Sequence, residues 1–148
     1  MRQFVIGDIH GCLASLQSLV QDQLELMPED ELYVLGDYID RGPASKQVID
    51  YILDLKERGY TLFCLKGNHE QLFLDCTQDP AYHDFWMRNG GYKTIQSYQV
   101  ISALEVDKAH YDFINSLPHY IDLGKFLLVH AGFNFSQGKP FQDKAAML

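Results

Sequence analysis

The sequence has no long hydrophobic run, because its apolar runs, such as Phe126–Val129, do not exceed four residues. A membrane-spanning helix needs about 20 apolar residues in succession, so the composition argues against such a helix. The first residues, Met1 to Ile6, also lack the apolar stretch and the small-residue cleavage site of a secretory signal. These absences predict a cytoplasmic protein with no membrane partner.

Cysteine and basic residues are also scarce. The three cysteines, Cys12, Cys64 and Cys76, form no CxxC pair, and an odd number favours reduced thiols over a disulfide framework. Lys and Arg number 12 against 20 Asp and Glu, for a formal net charge of -8, with no basic cluster. This argues against nucleic acid as the main partner. The same acidity would repel a phosphate substrate unless local carboxylates held cations.

The first 66 residues alternate short strands with helices. A length of 148 residues and a hydrophobic content of 47% suit one domain with a core. Strands are predicted at Gln3–Ile6, Leu32–Leu35 and Leu62–Leu65. A stripe of apolar residues from Leu13 to Met27 predicts the first helix, and the pattern from Pro43 to Gly59 predicts the second. This order is typical of an α/β fold with a largely parallel sheet.

Beyond residue 66 the helical periodicity is weaker. Two further strands, Tyr120–Asp122 and Phe126–Val129, are close enough to form a hairpin. The polar tail over residues 134–148 is expected to be weakly structured. The remaining predicted helices are Gln71–Cys76, Ala81–Met87, Tyr92–Tyr98 and Lys108–Leu117.

Four motifs follow predicted strands. They are GDIHG at Gly7–Gly11, GDYIDRG at Gly36–Gly42, GNHE at Gly67–Glu70, and His130-Ala131-Gly132. Ligands of open α/β sheets bind beyond the carboxyl ends of the strands. Asp, Asn and His supply oxygen and imidazole ligands, and two divalent cations sharing a carboxylate can hold a phosphoryl group and acidify a bound water. The motifs therefore predict a dinuclear metal centre.

In this order the motifs resemble those of the phosphoprotein phosphatases within the calcineurin-like metallophosphoesterases. The resemblance is to the bacterial and phage serine/threonine protein phosphatases, because Trp86 is followed by Asn89-Gly90-Gly91, and it runs from about Phe4 to the last residue. It implies a β-sandwich flanked by helices.

The resemblance also implies roles for individual residues. Asp8 and His10 would bind the first metal, Asp37 would bridge, and Asn68 and His130 would bind the second. His69 would protonate the leaving group while held by Asp40, and Arg41 and Asn68 would contact the phosphate. The implied metal is Mn²⁺, although these ligand types would also accept Fe, Zn or Co.

The implied activity is hydrolysis of phosphoserine or phosphothreonine in a protein substrate by a metal-activated water. A dinucleoside tetraphosphatase uses the same metal motifs and is one alternative; a non-catalytic binding module is another. Members of the family continue with a tryptophan-arginine segment and a later histidine, whereas here no His follows His130 and no Arg follows Arg88. The resemblance thus implies one metallophosphoesterase domain, residues 1–148, that is incomplete at its C-terminus.

Simpler interpretations exist for several of these residues. The Asp, Asn and His residues of the motifs could be helix caps and turn residues, and Asp40 and Arg41 could form a surface ion pair. Glu70 is interpreted mainly as a first-turn acid that complements the helix dipole, with support of a ligand as the alternative. Aromatic residues at helical spacing are expected in the core, and three histidines receive no role. These are Phe85, Trp86, Tyr92 and Tyr98, and His83, His110 and His119.

Overall fold

Three parallel strands form the centre of the molecule, for which a computed structural model describes residues 1–136 and 138–148. The strands are β1 (Gln3–Ile6), β2 (Glu31–Val34) and β3 (Thr61–Cys64), in the order β1-β2-β3. Gln3 pairs with Glu31, and Glu31 with Thr61, so the strands begin and end at the same level. Their carboxyl ends therefore share one edge of the sheet, and β2 and β3 each lie one residue earlier than predicted.

The first helix is shorter than its apolar stripe predicts. Helix α1 (Leu13–Ser18) continues into a π-helical turn, Leu19–Gln23, which widens the helix by one residue. Leu26 is buried while Met27 is 49% exposed, so the predicted end of the stripe at Met27 is wrong. The wide turn shifts the helical phase, and the positive φ of 44° at Glu25 ends the helical path before Met27.

The sequence predicts that the second helix begins at Pro43. Helix α2 (Ser45–Glu57) begins two residues later. Its buried face includes Val48, Ile49, Ile52 and Leu55. The helix packs against α1 and against a later helix, Tyr92–Tyr98, and lies beside β3. It thereby covers one face of the parallel sheet with an apolar surface.

The second half contains short helices joined by tight turns. Helix α3 is longer than predicted at both ends, and the segment predicted as one helix over Ala81–Met87 is divided between a 3₁₀ turn, a helix and a π-helical turn. The helices are α3 (Asn68–Gln78), α4 (His83–Trp86), α5 (Tyr92–Tyr98) and α6 (Lys108–Ser116), and the turns are Pro80–Tyr82, Met87–Gly91 and Ala103–Glu105.

The last strands, β4 (Tyr120–Asp122) and β5 (Leu127–Val129), form the predicted antiparallel hairpin. After it come a 3₁₀ turn, Pro140–Gln142, and a short helix α7 (Lys144–Met147). The expectation of a weakly structured tail is wrong at α7, because Met147 is buried and its carbonyl accepts a hydrogen bond from the Ala131 N–H at 3.0 Å.

None of the helices in the described part of the chain combines the length and apolarity that crossing a bilayer requires. The α/β architecture predicted from the sequence is confirmed, with one parallel and one antiparallel sheet over residues 1–136 and 138–148.

Candidate metal centre

The loops that follow β1 and β2 are hydrogen-bonded to each other at the carboxyl edge of the sheet. The backbone N–H groups of Ile9 and His10 both donate to the Asp37 carbonyl, at 3.0 and 2.8 Å, and the Gly11 N–H donates to the Tyr38 carbonyl. Ile9 is buried, as its position between Asp8 and His10 predicts. The two motifs are therefore held in a fixed relation by backbone alone.

Asp37 lies at the centre of the predicted site and is buried. Its Oδ2 atom is 3.5 Å from His10 Nε2 and 3.5 Å from His130 Nε2. The Oδ1 atom accepts a hydrogen bond from the His69 N–H at 3.1 Å. On the far side, Asn68 Oδ1 is 3.0 Å from His130 Nε2. One carboxylate thus lies between two imidazoles, as the predicted bridging role requires.

The possible ligand atoms form two overlapping groups, each with its atoms within 4.8 Å of one another. One group contains His10, Asp37 and His69, and the other contains Asp8, Asp37 and His130. Asp37 belongs to both. Asp8 has a half-exposed side chain whose Oδ2 is 3.8 Å from His10 Nε2. The structure therefore brings the predicted metal ligands close together, but it groups Asp8 with His130 instead of His10, and the other group includes His69, which was predicted as the general acid.

The ring orientation of two histidines fits a cation. His10 Nδ1 is 2.9 Å from the Ile39 carbonyl and His130 Nδ1 is 3.0 Å from the Leu35 carbonyl. A carbonyl only accepts, so each Nδ1 carries a proton, which leaves Nε2 as the nitrogen that can bind a cation. Histidines that bind metals are commonly held in this way.

Both Nε2 atoms face carboxylate or amide oxygens, and His10 Nε2 also lies 3.1 Å from Arg41 Nη1, a donor. Two ligands at about 2.1 Å from one ion are separated by about 3.0–3.4 Å for angles of 90–110°. The observed separations are 3.0 Å for Asn68 and His130, 3.5 Å for Asp37 with each of His10 and His130, and 3.8 Å for Asp8 and His10, which are within or slightly above this range. The residues present therefore fit divalent cations.

Glu70 lies in the first turn of α3, as predicted, but its main contacts are with the loop that carries Asp37. Its carboxylate accepts hydrogen bonds from the N–H groups of Asp37 (2.8 Å), Tyr38 (2.9 Å) and Gly67 (3.0 Å). Glu70 is fully buried, so the support of a ligand, left as the alternative, is what the structure shows. Burial and the Asp37 charge raise the pKa of Glu70 to about 7, against the effect of the backbone donors.

Asp40 and His69 form a buried pair. His69 Nδ1 is 2.7 Å from Asp40 Oδ2, and neither side chain is more than 1% exposed. Burial by itself would lower the pKa of His69, but the hydrogen bond to Asp40 and the charges of Asp37 and Asp40 outweigh it and raise the pKa. The interpretation of Asp40 and Arg41 as a surface pair is wrong for Asp40, because its carboxylate is buried.

Arg41 is exposed, and its Nη1 atom lies 3.1 Å from His10 Nε2. The guanidinium is therefore at the open side of the centre, where a phosphate would enter. Four of the six non-glycine residues with positive φ in the described chain lie in the motifs, namely His10, Asp37, Asp40 and Arg41. Such conformations cost about 1–3 kcal/mol each and cluster at functional sites.

Two residues next to Asp40 were missed as parts of the site. Trp86 Nε1 lies 3.0 and 3.2 Å from the two Asp40 oxygens, and the Thr94 hydroxyl donates to Oδ1 at 2.7 Å. The one available signal was that a buried Trp N–H needs an acceptor. The core expectation holds for Trp86 and is wrong for Phe85, which is 57% exposed.

Tyr98 is buried, as expected, whereas Tyr92 is 46% exposed, so the core expectation is wrong there as well. The three histidines without an assigned role, His83, His110 and His119, contribute to neither group of possible ligands in the described chain.

Comparison with known proteins identifies the family to which the chain belongs. The family described as Calcineurin-like phosphoesterase matches residues 1–145. A symmetrical bis(5'-nucleosyl)-tetraphosphatase of Pseudomonas putida is 29% identical over 135 residues, which are 89% of this chain and 42% of that protein. The chain thus spans about two fifths of the length of this curated relative.

Two solved structures share the fold. A candidate diadenosine tetraphosphatase superposes with a TM-score of 0.65 at 24% identity, over 90% of this chain and 51% of that one. The cold-active protein-tyrosine phosphatase of a psychrophilic Shewanella species has a TM-score of 0.67 at 19% identity, over 91% of this chain and 45% of that one. At these identities the likeness shows the fold alone.

Proposed function

We propose that this chain, which belongs to the calcineurin-like phosphoesterase family, carries a metal-dependent centre that hydrolyses a phosphate ester or anhydride, with residues 1–148 in one metallophosphoesterase domain. One observation carries the proposal. The Nε2 atoms of His10 and His130 approach the same oxygen of Asp37 at 3.5 Å, while both Nδ1 atoms are bound to backbone carbonyls. This arrangement suits a carboxylate shared by two cations.

Asp8, His10 and Asp37 would hold one divalent cation, and Asp37, Asn68 and His130 the other. Two such ions would polarise a phosphoryl group and lower the pKa of a bound water. Mn²⁺ is our first choice, since carboxylate, amide and imidazole ligands suit it, and they also suit Fe, Zn and Co.

His69 would act as the general acid. Its Nδ1 is bound to Asp40, so Nε2 is the nitrogen from which a proton can pass to the leaving oxygen. The hydrogen bond to Asp40 favours the protonated ring. Arg41, at the open side, would bind phosphate oxygens through two parallel N–H groups, with Asn68 as a further contact.

For the substrate we propose a dinucleoside tetraphosphate, one of the alternatives that the metal motifs leave open. The support is the name of the Pseudomonas putida relative, whose similarity extends over 89% of this chain. A phosphorylated protein is the second candidate, favoured by the motif resemblance that includes Trp86 and Asn89-Gly90-Gly91.

The test compares three substrates on one preparation. The chain is stripped of metal with a chelator, supplied with Mn²⁺, and assayed with diadenosine tetraphosphate, a phosphoserine peptide and p-nitrophenyl phosphate. We expect Mn²⁺-dependent turnover that is fastest with diadenosine tetraphosphate, yields ADP, and is lost in Asp37→Asn. Faster peptide turnover would favour the second candidate, and tight metal binding without turnover of any substrate would favour the binding module.

A second variant tests the general acid. His69→Asn should keep its bound Mn²⁺, because His69 is not assigned as a ligand, and should lose at least about tenfold in turnover of the phosphoserine peptide, whose alkoxide is a poor leaving group. Metal content by mass spectrometry and initial rates measure the two effects separately. Unchanged turnover in this variant would remove His69 from the mechanism.

A further inference from the structure

Asp40 has no charged partner other than His69 among the ion pairs of the described chain. It is nevertheless fully buried, and a buried carboxylate is costly unless its oxygens are hydrogen-bonded. Neutral donors meet this need. Trp86 Nε1 donates at 3.0 Å to Oδ2 and lies 3.2 Å from Oδ1, and the Thr94 hydroxyl donates to Oδ1 at 2.7 Å.

These donors determine which way the carboxylate faces. His69 Nδ1 is bonded to Oδ2 alone, so rotation of the Asp40 carboxylate would break that bond. Trp86 Nε1 and the Thr94 hydroxyl occupy the other hydrogen-bonding positions around the two Asp40 oxygens. The Asp40 backbone is also bound, because its N–H donates to Thr94 Oγ1 at 2.9 Å and lies 3.1 Å from Ser45 Oγ.

The Trp86 ring is itself immobilised. It is completely buried and packs edge-on against Phe73, with ring centroids 5.7 Å apart. Gly91 lies against the ring, and a Cβ atom there would approach Trp86 Cδ2 and Cε2 at 2.5 Å. The turn Met87–Gly91 is also bound to the site, because the Arg41 N–H donates to the Gly90 carbonyl at 3.2 Å.

We propose that Trp86 and Thr94 are positioning residues that hold the Asp40 carboxylate and thereby orient His69 toward the leaving group. This inference rests on the proposed function, because it assigns the two residues to the general acid of that reaction. Its consequence is specific: weakening the acid slows the release of poor leaving groups and leaves good ones nearly unaffected.

The test uses Trp86→Phe, which keeps most of the ring and removes the N–H. Rates are measured with phenyl phosphate, whose phenolate is a poor leaving group, and p-nitrophenyl phosphate, whose leaving group is good. We expect kcat for phenyl phosphate to fall about tenfold, with KM unchanged, and kcat for p-nitrophenyl phosphate to change less than twofold. Equal losses on both substrates would overturn the proposal.

Thr94 offers a matched pair. Thr94→Val removes the hydroxyl at nearly constant shape and should reproduce the selective loss, whereas Thr94→Ser keeps the hydroxyl and should restore the rate. Tyr98→Phe is the control, because it removes a different buried hydroxyl, which lies 2.7 Å from His110 Nδ1. It should alter stability without changing the ratio of the two rates.

A readout without turnover completes the test. In the wild-type chain the proton on His69 Nδ1, shared with Asp40, should give a downfield proton NMR signal, which Trp86→Phe should shift or broaden. An unchanged signal together with unchanged rate ratios would refute the inference while the wild-type chain remains active. A wild-type chain inactive on every phosphate would instead refute the proposed function.

Discussion

The carboxyl edge of the parallel sheet and the C-terminal hairpin both supply residues to the candidate centre, yet they are packed very differently. In β2 the side chains of Leu32, Tyr33 and Val34 are at most 3% exposed. Over the described residues 119–136 and 138–148, only Met147 is buried, and Phe135 is 72% exposed. One part is fixed by its core, the other by a few local contacts.

The comparison teaches that the two halves of the centre have unequal support. Asp37 is held through backbone bonds to the first loop and through Glu70. His130 is held by the contact of Nδ1 with the Leu35 carbonyl, and its Nε2 lies 3.0 Å from Asn68 Oδ1. We therefore expect the cation at His10 to be the more robust and the cation at His130 to depend on the docking of the hairpin.

The largest effect should come from matched aromatic truncations, one in α3, which follows the carboxyl end of β3, and one in the segment that follows the hairpin. Phe73 is fully buried, so Phe73→Ala should lower the free energy of unfolding by about 3–5 kcal/mol. Phe135→Ala removes the same ring from an exposed position and should change it by less than about 0.5 kcal/mol. Urea unfolding measures both, and similar losses would erase the distinction between the regions.

Removing the Glu70 charge should produce the next largest effect. Glu70→Gln turns one acceptor into an NH₂ group that faces backbone donors, and a buried unsatisfied donor costs about 1–3 kcal/mol. Unfolding free energy and Mn²⁺ affinity should therefore both fall. The control is Glu57→Gln, the same change at an exposed position, and an equal loss there would contradict the role of Glu70.

A strained hairpin turn should weaken the second half of the centre selectively. Gly124 has φ of 77°, and Gly124→Val should cost about 1–2 kcal/mol, because β-branched residues are disfavoured there, although its Cβ would meet no atom within 4 Å. Asparagine tolerates a positive φ better than valine does, so Gly124→Asn is the control. Calorimetric titration should show one Mn²⁺ bound normally and one weakened, whereas equal weakening of both would show that the halves are not independent.

The smallest effect concerns acid stability at the start of the sheet. Hydrogen bonds from the Arg2 side chain and from backbone N–H groups hold the pKa of Asp30 well below its ordinary value, although burial opposes this. The folded state thus favours ionised Asp30. The stabilisation of the fold by this carboxylate is present above about pH 4 and is lost as the pH falls further.

Asp30→Asn should accordingly flatten the acid side of the stability curve, measured by thermal unfolding between pH 6 and pH 2. Asp54→Asn is the control, because the ion pair of Asp54 with Arg58 is exposed. If the Asp30 variant kept the full acid dependence of the wild-type chain, the Arg2–Asp30 contact would have no measurable role.

Much of the fold was accessible from local pattern. The three parallel strands were predicted to within one residue, and the hairpin to within one residue at β5. The misses occur where backbone geometry departs from a regular period, as at the π-helical turn Leu19–Gln23 and the divided segment around His83–Trp86. A periodicity argument assumes a constant number of residues per turn, which these turns break.

The sequence by itself determined the chemical types of the site and their placement after the strands, because short motifs set which residues follow each strand end. Tertiary structure alone decided that Glu70 would bind the Asp37 loop and that Trp86 and Thr94 would hold Asp40. Those bonds join residues 33, 46 and 54 positions apart. Contacts over such separations depend on how the helices pack against the sheet, which no local spacing records.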